Sequence, residues 1–285
     1  MGAAAVAGPL AGPPAERGRG AVAVRALLRI GRALGLICLT VAVICGIWQG
    51  LISAFHLSSF VAKGPVAVYD YAFTSPSAAS VRSQLLQALA ITLRDAGLGY
   101  LAGTVTAVVV AVCVVLRREL EQTLMPVAIG LRSVPLVALT PLLTLVFGQG
   151  LAAVTVIAGV VTFFPTLVNV AFGLRSAPAE ASELMAAYGA TSTTVLRTVR
   201  IPYALPALFA SARIAAPGAL LGAILAEWLA TGQGLGDLMV TSSSTADYSM
   251  LWASVVLITT ASIVVYNLVS AVERPVVARL GLTSR

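Results

Sequence analysis

The sequence predicts an all-α, polytopic membrane protein with six transmembrane helices and one polar elbow on the cytoplasmic side. Three observations lead there. Of 285 residues, 59% are apolar and only 10% are charged, against about 25% charged in a soluble domain, and the mean hydropathy is +0.96. A hydrocarbon core of about 30 Å takes about 20 apolar residues in helix, and apolar runs of that size stand at about 33–55, 97–116, 123–147, 150–172, 206–230 and 248–270. These runs are continuous Leu, Val and Ala, unlike the short alternating segments of an outer-membrane barrel, so the spans are helices.

Along the chain, residues 1–30 form the first division, expected as a disordered cytoplasmic tail. Its first 24 residues are Gly, Ala and Pro rich, with no periodicity able to bury a face. They do not read as a cleavable signal peptide, because the charges follow the Ala and Pro run and the first apolar span is long enough to cross. Residues 31–275 carry the six spans, with the elbow at 173–205, and residues 276–285 form a second cytoplasmic tail. Between the first two spans, residues 56–94 hold Pro65, Pro76 and the Tyr69-Asp70-Tyr71 cluster. Leu85, Leu86, Leu89 and Leu93 recur there at helical spacing and lead into the second span.

Orientation follows from the basic residues. One set of loops and tails holds Arg17, Arg19, Arg25, Arg29, Arg32, Arg117, Arg118, Arg175, Arg197, Arg200, Arg274, Arg279 and Arg285. The other holds only Lys63, Arg82 and Arg94, while Arg132 and Arg213 fall near or inside spans. Both termini and the elbow are therefore expected in the cytoplasm. The net charge of +7 is spread over several loops and anchors helices, which sets a nucleic-acid role aside.

Several chemistries are excluded. Cys38, Cys45 and Cys113 lie inside predicted spans without metal-site or disulfide spacing and read as small core residues. His56 is the single histidine, at the exit of the first span, so neither a His-containing triad nor a His-rich metal site is expected. Lys63 is the single lysine and precedes Gly64, so the chain has no Gly-x-x-x-x-Gly-Lys-Ser/Thr phosphate loop and does not hydrolyse ATP itself.

The elbow has its own helix signals. Ser176 and Pro178 suit a start, Glu180 and Glu183 complement the positive end of the dipole, and Gly189 suits a stop, predicting a helix over about 178–188. Ala181, Leu184, Met185 and Tyr188 make one apolar stripe on it, available to the chain's own helices or to a partner's groove. Thr191 or Ser192 then caps a second short helix with Val195, Leu196 and Val199, which Pro202 and Pro206 are expected to interrupt before the fifth span.

With these residues on the page, the chain resembles the permease subunits of bacterial binding-protein-dependent ATP-binding-cassette (ABC) importers. Their cytoplasmic signature is Glu-Ala-Ala, three residues, Gly, nine residues, then Ile-x-Leu-Pro. Glu183, Gly189, Val199, Ile201 and Pro202 match it without a gap, with Leu184 and Met185 in place of the two alanines. Arg132-Ser133-Val134-Pro135, Pro141-Leu142-Leu143, Phe147-Gly148, Phe163-Phe164-Pro165, Asn169, Ala226-Glu227 and Gly234-Leu235-Gly236 follow the order of the sulfonate, taurine, nitrate and pyrimidine-precursor branch. The resemblance covers about residues 85–275.

The resemblance implies a non-catalytic subunit of the bacterial cell membrane whose elbow is a coupling helix. Glu183, Leu184, Met185, Tyr188, Gly189, Ala190, Val199, Ile201 and Pro202 would meet a cytoplasmic ABC ATPase dimer. It further implies a second permease chain, most simply a copy of this one, and an extracytoplasmic solute-binding protein. No cofactor is expected on this chain; ATP and Mg would be used by the ATPase. The solute would be small and polar, of sulfonate, taurine or nitrate type, with a pyrimidine or thiamine precursor as the alternative.

Glu227, Asn169 and Arg132 are the candidates for the pathway or gate, because ionisable and amide groups within membrane helices are costly. Internal hydrogen bonds serve equally for Glu227 and Asn169, and snorkelling for Arg132. Pro135, Pro141 and Pro165 would kink their helices for packing or gating. A secondary transporter or channel also fits six helices with intramembrane Glu and Asn, but has no use for the elbow; a membrane scaffold needs neither.

Overall fold

The structure, a computed structural model, describes residues 16–131 and 133–279. In order it contains α1 (Glu16–Ala54), α2 (Pro65–Tyr69), a π-helical turn (Asp70–Thr74), α3 (Ala78–Leu116), α4 (Arg118–Leu131), α5 (Leu136–Phe147), α6 (Leu151–Arg175), α7 (Ala179–Ala187) and α8 (Ser192–Val195). A second π turn (Leu196–Arg200) leads into α9 (Ile201–Ala226), a third (Glu227–Thr231) closes it, and α10 (Gly234–Ser244) and α11 (Tyr248–Arg279) complete the chain. No strand occurs among the described residues.

The chain divides into two compact units, residues 1–65 and 66–285. The first is α1 with the short stretch after it. Its apolar span is Gly35–Ala54, and His56 sits just past the helix end at φ +48°, where the sequence placed it. The helix begins at Glu16, so residues 16–30 belong to α1 rather than to the expected disordered tail; Ala, Leu and Arg there are good helix formers and extend the helix beyond the span. Residues 1–15 lie outside the described residues.

In the second unit the core is built by α3, α6 and α9. Membrane helices associate through close packing of small residues rather than through a hydrophobic force, and these three carry such stripes. Buried Gly99, Gly103, Ala107 and Ala111 recur every fourth residue on α3, facing Ala158, Gly159 and Thr162 of α6. On α9, buried Ala219, Gly222, Ala223 and Ala226 continue the pattern, with Gly222 against Ala158.

Five helical stretches are long and apolar enough to cross a membrane, and the sixth expected span exists only as the bent pair α4 and α5. These two meet at 107°, which corrects the single span expected over 123–147. Pro135 explains the break: it lacks an N–H and disfavours helix at the residue before it. The second span also begins earlier than its apolar run, since α3 has 39 residues, about 58 Å at 1.5 Å per residue.

The cysteines are not core residues: Cys38 and Cys113 are exposed and Cys45 is half-buried. Inside the second unit, Tyr71 donates to Asp247 Oδ2 at 3.3 Å and Asp247 Oδ1 accepts from the Met250 N–H at 3.1 Å, capping α11. Burial, and then the Asp247 carboxylate, push the Tyr71 hydroxyl above its ordinary range, so it remains a donor in this contact.

Arg213 of α9 pairs with Glu273 of α11, Nε to Oε2 at 3.1 Å, both half-buried. Removing one partner strands the other charge. Arg213→Ala should destabilise the protein by about 2 kcal/mol, and Arg213→Ala with Glu273→Ala by less than that, as read by thermal unfolding in detergent.

Candidate functional site

The elbow begins where α6 ends. Ser176 closes that helix, its N–H donating to Phe172 O at 3.1 Å and its hydroxyl to Gly173 O at 2.8 Å. Pro178, extended at φ −55° and ψ 132°, starts α7. At the other end, the Gly189 N–H donates to Ala186 O at 2.9 Å and the Ala190 N–H to Met185 O at 3.0 Å, a Schellman closure. It requires a left-handed residue, and Gly189 takes φ +76° without a Cβ penalty. The predicted helix over 178–188 is thus present, shorter by a residue at each end.

The second limb follows at once. Thr191 caps α8, its Oγ1 accepting from the Thr194 N–H at 3.3 Å. Pro202 and Pro206 do not interrupt the chain here, contrary to expectation: helix runs from Ser192 to Thr231. The π turn at Leu196–Arg200 lies just before Pro202, where the wider ladder absorbs the missing proline N–H.

The two limbs differ in what they bury. Val195, Leu196 and Val199 are buried, and Leu196 packs in the same cluster as Ala107 and Ala111 of α3 and Leu167, Val170 and Leu174 of α6. On α7 no residue is buried. Its apolar stripe splits, with Ala181 and Met185 half-buried and Leu184 and Tyr188 exposed at 59% and 84%. Glu183 is exposed, Ala190 and Pro202 are half-buried, and Ile201 is on the exposed side. Between α7 and the bundle lies a cavity of about 540 Å³ lined by Glu183, Ser182, Arg200 and the Arg175–Glu121 ion pair.

Glu227 stands at the opposite end of α9, 26 residues past Ile201, about 39 Å away. It is 1% exposed. Its Oε2 accepts from the Thr92 hydroxyl and from the Gly236 N–H, each at 2.9 Å, and Thr92 Oγ1 accepts from the Leu235 N–H at 2.9 Å. The acid therefore caps the N-terminus of α10, where backbone N–H groups and the helix dipole favour a carboxylate. Its other oxygen, Oε1, is buried without a partner among the described residues.

The pathway candidates do not converge. Asn169 of α6 is half-buried, near the level where Gly173 packs on Ala204 and Ala207, whereas Glu227 is five residues beyond Gly222, which packs on Ala158. About 25 Å along the bundle separates them. Arg132 lies outside the described residues. Thr92 and its neighbour Asp95 were missed as candidates, although Thr92, Asp95, Gly99 and Gly103 form one buried stripe at helical spacing. That stripe was legible had polar residues been counted with the small ones.

Residues 99–280 match the family described as binding-protein-dependent transport system inner membrane component. The chain belongs to that family. A probable ABC transporter permease protein of Haemophilus influenzae is 29% identical over 229 residues, 80% of this chain and 91% of the relative. The riboflavin transport system permease protein RibX of Chloroflexus aurantiacus is 34% identical over 157 residues, 55% of this chain and 59% of the relative. In fold, the permease is similar to an inward-facing crystal structure of the MetNI methionine ABC transporter, with a TM-score of 0.56, 21% identity and coverage of 69% of this chain and 95% of that one.

This permease is thus a multi-pass membrane protein of the ABC importer type, a family of transport subunits. That decides against the secondary-transporter and scaffold readings. It also gives α9 a place between two different ends: helix runs unbroken from the anchored limb of the elbow to the buried acid.

Proposed function

We propose that the chain forms the solute pathway of an ATP-driven importer and that α7 docks into a separate cytoplasmic ATPase. The observation that carries this is the contrast within the elbow: α7 buries none of its residues while the limb after it is anchored in the core. An exposed apolar pair on one short helix is a surface awaiting a partner, and movement of that helix would pass through the Gly189 turn to the limb that runs unbroken into α9.

On this reading both termini are cytoplasmic, a second copy of the chain completes the pathway, and a solute-binding protein delivers the cargo. ATP and Mg belong to the ATPase, and this chain binds no cofactor. The cargo is a small polar solute of sulfonate, taurine or nitrate type, supported by relatives named as aliphatic sulfonate and nitrate permeases. A pyrimidine or thiamine-type precursor is the second reading, favoured by the 30% identity to a permease named for formylaminopyrimidine.

Co-purification of the tagged chain with its cognate ATPase tests the assignment. The native chain should retain the ATPase and its ATP hydrolysis, and Glu183→Ala with Gly189→Asp should lose one or both. An ATPase that never associates, with native or substituted chain, removes the proposed docking of α7. Uptake of taurine, nitrate and formylaminopyrimidine into vesicles containing the full complex then separates the cargo classes.

A further inference from the structure

Glu227 occupies an unusual place for a membrane carboxylate: it is neither open to a pathway nor paired with a cation. Three backbone features enclose it. The π turn at Glu227–Thr231 carries the chain out of α9. Gly234, at φ +88°, then lies against the carboxylate so closely that any Cβ there would overlap it. Gly236 packs equally closely, a Cβ at this position falling 2.8 Å from Glu227 Cβ and 3.0 Å from Trp228 N.

The hydrogen bonds made in this enclosure tie three helices together. Thr92 belongs to α3, Glu227 follows α9, and Leu235 and Gly236 open α10. α10 also packs along α11, α3 and α9, but of its 11 residues only Gly234, Leu235, Gly236 and Ser242 are buried, three of them at the end the hydrogen bonds hold. The other carboxylates nearby do not substitute for Glu227. Asp95 is engaged by Arg94, Nη2 to Oδ1 at 2.8 Å, and Asp237 is on α10 itself.

We propose that Glu227 and Thr92 are positioning residues forming a latch, which holds α10 against α3 and α9 at the extracytoplasmic end and must release for the pathway to open there. Glu227 is then not a ligand for the solute. The proposal rests on the importer reading for the pathway and for the side of the membrane this end faces; the closed and released states of α10 belong to the chain itself.

The test follows α10 directly. In membrane vesicles bearing the full chain with Cys38, Cys45 and Cys113 replaced by Ala, Ser242→Cys, 4% exposed on α10, reports release through its rate of reaction with a membrane-impermeant maleimide. With Glu227 and Thr92 present the reaction should be slow. Glu227→Ala and Thr92→Val each remove hydrogen bonds made at a buried site and should accelerate it about tenfold. Glu227→Gln keeps an acceptor oxygen and Thr92→Ser keeps the hydroxyl, so both should stay within about twofold of the parent.

Rescue by the conservative pair is what a general loss of packing does not produce. Should Glu227→Ala fail to fold, the Thr92→Val and Thr92→Ser pair carries the test. Fast labelling of the parent, unchanged labelling in Thr92→Val, or Glu227→Gln reacting at the elevated rate would each overturn the latch. No ATPase is present in this experiment, so failure of the importer reading leaves its outcome readable.

Discussion

Replacing Leu184 and Tyr188 together by Ser should abolish capture of the ATPase while the membrane domain stays folded. The two side chains are 59% and 84% exposed, and neither terminus of α7 depends on them, since Pro178 and the Gly189 closure are backbone features. Stability should therefore change by no more than about 0.5 kcal/mol. An apolar anchor seated in a partner's groove contributes about 2 kcal/mol, so the loss of both weakens association about a thousandfold. Leu196→Ser is the opposite case. It lies 6% exposed in the core, and its loss should cost about 3 kcal/mol of stability. Binding of purified ATPase and thermal unfolding, measured on the same preparations, separate the two limbs. If the Leu184 and Tyr188 variant unfolds earlier but still binds, α7 serves its own bundle and docking lies elsewhere.

What the sequence showed of this architecture depended on whether a feature was local. The elbow helix was legible because its limits are set by nearby residues: Pro178 before it, and Gly189 at a left-handed turn after it. Helical spacing at Leu85, Leu89 and Leu93 likewise announced the long α3. The errors arose where one residue type has two outcomes. Pro135 breaks the third span, yet Pro202, Pro206, Pro165 and Pro141 all sit inside continuing helix. The difference at Pro202 is the π turn before it, which no local pattern indicates.

Burial within the membrane was the other obscure quantity. In water, an apolar residue on a helix signals the face that is buried, but lipid accepts the same residues, so apolarity no longer marks the core. Leu145 and Phe172 are exposed at 82% and 74%, whereas Gly99, Gly103, Ala107, Thr92 and Thr162 are buried beside Ile157 and Leu167. For the same reason Glu227 could be flagged as costly without its partners being named: Thr92 lies 135 residues away, and the Gly236 N–H is available only because the chain folds back after Gly232.

Gly103→Ala should separate α3 from α6 and cut the yield of folded protein, while Gly97→Ala on the same helix should be neutral or stabilising. A Cβ at Gly103 would fall within contact of Thr162 Oγ1 and Gly159 O, and 3.0 Å from the Gly159 carbonyl carbon. Two of those atoms are backbone and cannot rotate away, so the helices themselves must part. No hydrophobic gain compensates in lipid, and an overpacked contact of this kind costs about 3 kcal/mol. Nothing lies within 4 Å of a Cβ at Gly97, so Ala there gains up to about 1 kcal/mol of helix propensity. Monodisperse yield and unfolding temperature in detergent decide between them. Equal behaviour of the two variants would mean that α3 and α6 are not in backbone contact. The bundle would then lack the rigid pair that the proposed coupling through α9 requires.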